Sequence, residues 1–421
     1  MLALMVNATI GGGIYALPAE VFAKSGVWSL AAMAICAVVI SLIVACFAEI
    51  GSRFTGTGGT LVYAQEAFGA FTGFMTGWLS LVLRIVSMAA ICNIAVAYAG
   101  FFFPGLLQTD WASKSFIILI TLGLTTVNYL GIRQSVWLNN IFTVTKLATL
   151  LFFVGMGLFF FKMENFETTG LPMGHDFMAS ILLMVFAFSG FDGAVTTTGE
   201  MKDPQRDIPH TLFRVLFFKT ILYLLIQLVC IGTLVSLGTS KKPLAEAAEW
   251  MIPGWGGWFI TLGALISFIA TLNGGMLVAS RICFGLAENH RLPAVFSTSH
   301  PVFHTPSVAI LFTSFLMLIL ALTNSLLFLL TISALGRLLI YIISCASLIR
   351  LRNKESAPPA LYLLPAGKII ASLSIAACIG MMTGSTSREW LMLAVVLLIG
   401  TIIWIFAHGA KGKRNPKEGK S

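Results

Sequence analysis

Twelve apolar stretches of this chain, most of them 20 residues or longer and almost free of charge, restrict its fold more than any other feature. They lie near 1–22, 26–52, 68–101, 115–131, 136–161, 177–198, 210–238, 256–287, 305–323, 325–349, 366–385 and 389–408. Runs of this length suit the ~30 Å hydrocarbon core of a bilayer. In lipid each backbone N–H and C=O must be satisfied inside the protein, which makes helices the spanning form. The chain is 57% hydrophobic and 10% charged, with mean hydropathy +0.92. Soluble domains carry roughly 25% charged residues, so this chain lacks the charge to cover a water-facing surface of its size. The expectation is an all-α integral membrane protein with about 12 transmembrane helices in a lipid bilayer. The third and eighth runs are the longest and predict tilted or extended helices.

The net charge of +9 does not point to nucleic acid. Most basic residues sit at the ends of apolar runs rather than in a stripe, which is the positive-inside pattern. With the N-terminus cytoplasmic, the inner loops and tail hold sixteen Lys and Arg residues, from Arg53 to Lys420, and the outer loops hold six: Lys24, Lys114, Lys162, Lys241, Lys242 and Arg388. This predicts a multi-pass protein of a cell (plasma or inner) membrane with both termini cytoplasmic. The seven cysteines lie inside apolar runs, and none forms a CxxC pair or neighbours a His at zinc spacing. No metal, cofactor or disulfide framework is expected. No signal peptide is visible. Only ten residues precede Gly11, about 15 Å of helix, and a longer lead-in would normally start such a span. The true start is therefore expected upstream of Met1. An intact mass of the native protein beginning at Met1 would refute this.

The first run reads Asn7-Ala8-Thr9-Ile10-Gly11-Gly12-Gly13-Ile14-Tyr15-Ala16-Leu17-Pro18, and the sixth reads Phe186-Ala187-Phe188-Ser189-Gly190-Phe191-Asp192-Gly193. Each Gly costs roughly 1 kcal/mol against Ala inside a helix. Glycines also serve close helix packing, but interruptions at matching places in two halves point to a transporter site. Each interruption opens a set of five helices, with two more appended, which is a LeuT-like 5+5 inverted repeat. The expected units are 1–161 (helices one to five), 177–350 (six to ten), 366–408 (eleven and twelve) and a disordered basic tail, 409–421. An unwound segment frees backbone groups that lipid cannot satisfy. The half-helix N-terminus beyond it suits a carboxylate, and the freed carbonyls suit an ammonium. One α-amino acid meets both needs.

These motifs resemble the amino acid–polyamine–organocation superfamily from Thr9 to about Trp404. Ile10-Gly11-Gly12-Gly13-Ile14 resembles its first-helix G-[SAG]-G-I signature, and Phe188-Ser189-Gly190-Phe191-Asp192 its sixth-helix F-x-G-F-[DE] signature. Glu200 to Pro209 resembles its cytoplasmic E-x-K-[ND]-P-x-[RK]-x-[IM]-P segment, and Thr55-Gly56-Thr57-Gly58-Gly59-Thr60 its P-x-[ST]-G-G stretch, with Thr55 where Pro is usual. Asp192, where many members have Glu, leans towards the cationic amino acid branch. The resemblance implies that the backbone of Thr9, Ile10, Gly11, Gly12 and Gly13 binds the substrate carboxylate. It implies that Phe188, Ser189, Gly190 and Phe191 bind the α-amino group, with Phe188 or Phe191 as a gate. It also implies that Lys146 stands where a sodium ion sits in other members, tying helix five to helix one. A buried lysine that loses and regains a proton would couple transport to protons.

Four basic residues fall within runs: Arg84, Lys146, Lys219 and Arg337. Charges there are costly, by about 2.5–3.5 kcal/mol on insertion scales, and are functional candidates. Arg84 is expected to meet a substrate carboxylate or an acid such as Asp192. Lys219 is expected to snorkel to the inner face. Glu49 is expected to pair with Arg53. Asp192 either takes a proton or pairs with a cation. Asn273, beside Gly274-Gly275, is a further candidate for the pocket wall. The implied function is a secondary transporter of amino acids, sodium-independent and proton-coupled or exchanging. The alternative is a polyamine or other organocation transporter, and less so a channel. No HExxH, GxSxG or Walker pattern suggests an enzyme.

Overall fold

The computed structural model describes residues 9–54, 59–105, 109–131, 136–166, 170, 172, 174–192, 204–355 and 357–412. The expectations for residues 1–8, Thr55 to Gly58, Gly193 to Asp203 and the tail from residue 413 lie outside the described residues. Fourteen α-helices and several 3-10 turns make up the described structure, which contains no strand among the described residues. We label the helices α1 (Leu17–Ser25), α2 (Ser29–Arg53), α3 (Thr60–Phe68), α4 (Ala70–Phe102), α5 (Asp110–Tyr129), α6 (Val136–Gly157) and α7 (Gly174–Phe188). The second half holds α8 (Pro204–Thr233), α9 (Pro243–Met251), α10 (Gly256–Glu288), α11 (Ser307–Thr323), α12 (Leu326–Arg352), α13 (Gly367–Met382) and α14 (Ser387–Gly412). Six stretches are long and apolar enough to cross a membrane and four more are shorter apolar helices. The protein is therefore a helical, multi-pass membrane protein.

Helix α4 and helix α10 have 33 residues each, about 50 Å at 1.5 Å per residue. That exceeds a ~30 Å hydrocarbon core and requires tilt or protrusion. They pack against each other in the centre, with α12 along α4 and α6 along α10. Helix α2 lies against α8, α7 and α13. Helix α14 keeps to the edge and exposes Leu391, Leu398, Ile405 and Phe406, as a lipid-facing helix does. It also runs to Gly412, so residues 409–412 are helical where a disordered tail was expected.

Two nine-residue helices fall in stretches expected to be loops. Helix α9 starts with Pro243 in its first turn, where the missing N–H costs nothing, and Glu246 follows against the positive helix end. Helix α3 ends at Gly69, whose φ of +95° lets the chain turn directly into α4. Neither helix carries an apolar run of membrane length, so hydropathy passes over them.

One carboxylate ties α2 to the far end of the chain. Glu49 is fully buried and accepts from Arg53 Nη2 at 3.0 Å, from the Arg352 guanidinium on α12, and from the Leu364 backbone N–H at 2.9 Å. The expected Glu49–Arg53 pair exists, and Arg352 completes it. Removing one member of a buried ion pair leaves charge uncompensated and costs about 3–5 kcal/mol. Glu49→Ala is therefore expected to lower the unfolding temperature of the detergent-solubilised protein sharply. An unchanged midpoint would contradict this role.

Candidate functional site

The glycine-rich first run does leave helical geometry in the protein core. Thr9 is helical, Ile10 and Gly11 are not, Gly12–Tyr15 forms a 3-10 turn, and the α-helix resumes at Leu17. The sixth run breaks in the same way. Helix α7 ends at Phe188, and Ser189 and Gly190 are non-helical before Phe191 and Asp192 turn again. Gly190 has φ of +104°, a conformation that side chains with a Cβ rarely adopt.

Carbonyls at both breaks are held by side chains from other helices. Lys146 on α6 donates to the Ile10 carbonyl at 2.7 Å. Lys219 on α8 donates to the Thr9 carbonyl at 2.6 Å and to the Ser189 carbonyl at 3.1 Å. Tyr98 on α4 donates to the Tyr15 carbonyl at 2.7 Å, and Gln227 on α8 reaches the Pro18 carbonyl at 3.3 Å. A carbonyl left unpaired in lipid costs several kcal/mol, and hydrogen bonds from charged donors are worth about 1.5–3 kcal/mol net.

Lys219 departs from the snorkelling expectation. It is 1% exposed and bridges the two breaks. The sequence places the start of its helix near 210, whereas α8 begins at Pro204. Lys219 lies 15 residues into the helix, and its ammonium turns inward to main-chain carbonyls instead of out to the surface. Its ammonium also sits 5.8 Å from the Phe188 ring centroid and 5.4 Å from that of Tyr223, within cation–π range.

Aromatic side chains close the core on either side of the breaks. Tyr15, Tyr98 and Phe268 meet edge to face at 5.2–5.7 Å. On the other side Phe191 stacks on Tyr341 at 5.1 Å, and Phe47 meets both rings edge-on. Phe188 packs edge-on to Tyr223 at 5.5 Å. Two small cavities adjoin this region. One of about 10 Å³ lies between Thr9, Phe188, Phe191 and Lys219. The other, about 30 Å³, is lined by Arg84, Asp192 and Arg337 among others. A much larger apolar cavity of about 750 Å³, beside Trp78, Phe312 and Phe406, lies away from both breaks.

The remaining candidates divide. Asp192 accepts from Arg337 Nη1 at 3.3 Å and from the Gly190 N–H at 3.1 Å, so it is paired with a cation. Arg84 lines the same cavity and lies in the electrostatic field of Asp192, without a hydrogen bond or close ion pair among the described residues, so Arg337 contacts the acid directly and Arg84 meets it only at longer range. Asn273 on α10 accepts from Asn128 on α5 at 2.7 Å and is not joined to either break by a hydrogen bond among the described residues. A Cβ at Gly12 would lie 3.1–3.3 Å from Phe268 and Ile91, and one at Gly13 would lie 2.8 Å from Phe186. Gly11 faces open space, with nothing within 4 Å of its Cβ position.

A multi-pass helical protein with two interrupted helices meeting in its core, their carbonyls held by buried lysines, has the build of a membrane carrier. Over residues 1–407 the chain matches the amino acid permease family, and it belongs to that family, within the superfamily its motifs resemble. It is a transporter of the amino acid permease type and not an enzyme. It is 27% identical to the serine/threonine exchanger SteT of Bacillus subtilis, over 98% of this chain and 96% of that one. It is 24% identical to the branched-chain amino acid permease BcaP of the same organism, over 98% and 92%. It is 27% identical to the vacuolar cationic amino acid transporter 2 of Arabidopsis thaliana, over 70% of this chain and 50% of that one.

The glycine geometry makes a direct prediction. Gly11 has φ of −91° and ψ of −171°, which any residue adopts, so Gly11→Val should leave the unfolding midpoint of the unliganded protein unchanged. Gly13→Val should lower it, because its Cβ drives into the Phe186 ring. Equal effects in a thermal melt would contradict the placement of the two residues.

Proposed function

We propose that this permease carries amino acids by alternating access, without sodium, and that the two breaks form the binding site. The carrying observation is the capture of the Thr9, Ile10 and Ser189 carbonyls by Lys146 and Lys219. It supports a centre where main-chain polar groups are kept out of helical pairing deep in the protein, which is where inverted-repeat carriers bind substrate. Open space at Gly11 gives a substrate carboxylate room beside the N–H groups of the following turn. The backbone of Phe188 to Phe191 supplies the facing wall.

The ammonium of Lys146 on the Ile10 carbonyl supports sodium independence, because a metal cation bound there would have to displace it against its charge. A proton leaving and rejoining Lys146 would make and break that link between α6 and the first run, which favours coupling to protons or strict exchange. The aromatic clusters on both sides of the breaks fit a conformation closed around its centre. In this reading the chain has twelve spans arranged as a 5+5 inverted repeat plus two helices, with units 1–161, 177–350 and 366–408. Both termini are cytoplasmic, in a plasma or inner membrane.

Uptake by the purified protein in sodium-free proteoliposomes tests this. Saturable uptake of an amino acid is expected, stimulated by internal amino acid or by an inward proton gradient. Lys146→Ala should reduce it at least tenfold while the protein still inserts and stays monodisperse. Uptake that requires sodium, or a Lys146→Ala protein with normal rate and pH profile, would refute the coupling. Failure of every amino acid to move would refute the substrate assignment.

A further inference from the structure

The face of α4 that points at the second break carries Ser80, Arg84 and Ser87, one turn apart. The facing side of α12 carries Ser333 and Arg337, four residues apart. One face of a helix collects residues three and four apart, so two polar rows meet across a cavity in an otherwise apolar core. The rows are stitched together: Ser87 Oγ lies 2.8 Å from Ser333 Oγ, and Arg337 Nη2 donates to Ser87 Oγ at 3.1 Å. Thr60, at the start of α3, also lines the cavity.

The charge in this cavity does not balance. Two guanidiniums, Arg84 and Arg337, face it with one carboxylate, Asp192, among the described residues. Arginine stays protonated in proteins, so among the described residues that line the cavity one positive charge is left over. Asp192 is already engaged by Arg337 and by the Gly190 N–H. Arg84 shares the field of that same carboxylate but makes no hydrogen bond or close ion pair among the described residues, which leaves its donors free. The Nε of Arg337, itself 5% exposed, has no hydrogen-bond partner either. The other buried carboxylate of the core region, Glu49, is occupied by Arg53 and Arg352. Two guanidiniums that share one carboxylate inside a membrane protein are costly, and the planar fork of donors on Arg84 matches a second carboxylate.

We propose that this cavity takes the side-chain carboxylate of an acidic amino acid, with Arg84 as the ligand and Arg337, oriented by Asp192 and Ser87, as its second donor. The proposal rests on the central site described above and specifies its substrate class. Asp192, on the cavity wall, accepts from the Gly190 N–H of the second break at 3.1 Å, which joins the cavity to the site proposed for the α-groups and gives a second carboxylate a place to go. The cavity holds about 30 Å³, less than such a side chain needs, so the carboxylate enters as the α4 and α12 rows part. A cationic substrate would meet two arginines with a single, already paired, carboxylate.

Competition in proteoliposomes loaded with the purified protein tests the class. Unlabelled L-aspartate, L-glutamate, L-serine, L-leucine and L-arginine are titrated against whichever labelled amino acid the protein takes up. The expected result is that aspartate or glutamate competes at least tenfold better than serine, leucine or arginine. Arg84→Gln should then cut the preference for the acidic over the neutral amino acid at least tenfold, with Arg84→Lys restoring part of it. Uptake of serine, leucine or arginine without competition from the acidic pair would overturn this inference and leave amino acid transport standing. Neutral uptake that depends on chloride, with no acidic preference, would overturn it in favour of an inorganic counter-ion. No uptake of any amino acid would overturn both readings. If Arg84→Gln fails to insert, the wild-type competition series alone decides.

Discussion

The hydrogen bonds from buried lysines to main-chain carbonyls at the two breaks are the interaction on which the rest of the centre depends. A helix that opens inside a membrane protein exposes groups that neither lipid nor an apolar core can satisfy. Here Lys146 takes the Ile10 carbonyl and Lys219 takes those of Thr9 and Ser189. The exchange is reciprocal. Each ammonium, costly when buried alone, finds acceptors, and each carbonyl finds a donor. The extended backbone at Gly11 and the left-handed turn at Gly190 are thereby held in place rather than left to rewind.

Around that centre the molecule separates its polar and apolar tasks by helix face. Tyr15, Tyr98 and Phe268 shut one side, and Phe47, Phe191 and Tyr341 the other. Between α4 and α12 the serine and arginine rows make the one polar seam described at the second break. Glu49, Arg53 and Arg352 lock a different place, where α2 and α12 meet the stretch before α13. The four basic residues inside the runs therefore differ in their surroundings: two lysines bind backbone carbonyls, Arg337 binds Asp192, and Arg84 lines the cavity within the field of that same carboxylate.

Much of this was legible in the sequence, because apolar run length and glycine placement are strong one-dimensional signals. The runs near 256–287 and 325–349 became Gly256–Glu288 and Leu326–Arg352, and the glycines of runs one and six mark real interruptions. Short amphipathic helices such as α3 and α9 escaped, since nine residues leave no membrane-length signature. The inward turn of Lys219 escaped because a lone lysine near the inner end of an apolar run reads as a snorkelling one, and only the carbonyls of the distant first and sixth runs draw it inward. Which arginine takes Asp192 was not legible at all. Arg84 and Arg337 are both single cations in apolar helices, and only their positions across the cavity separate their roles.

The double attachment of Lys219 has a mechanical consequence. Its three ammonium protons serve carbonyls on two separate stretches of chain, at 2.6 and 3.1 Å, and a hydrogen bond is lost within a further half ångström or so. The unwound parts of the first and sixth runs are thus tethered to each other through a single ammonium group. Any displacement that carries them apart must first snap the longer tether. Displacements that leave it whole must carry the Thr9 and Ser189 carbonyls together, while the flexible lysine stem gives α8 some freedom to shift.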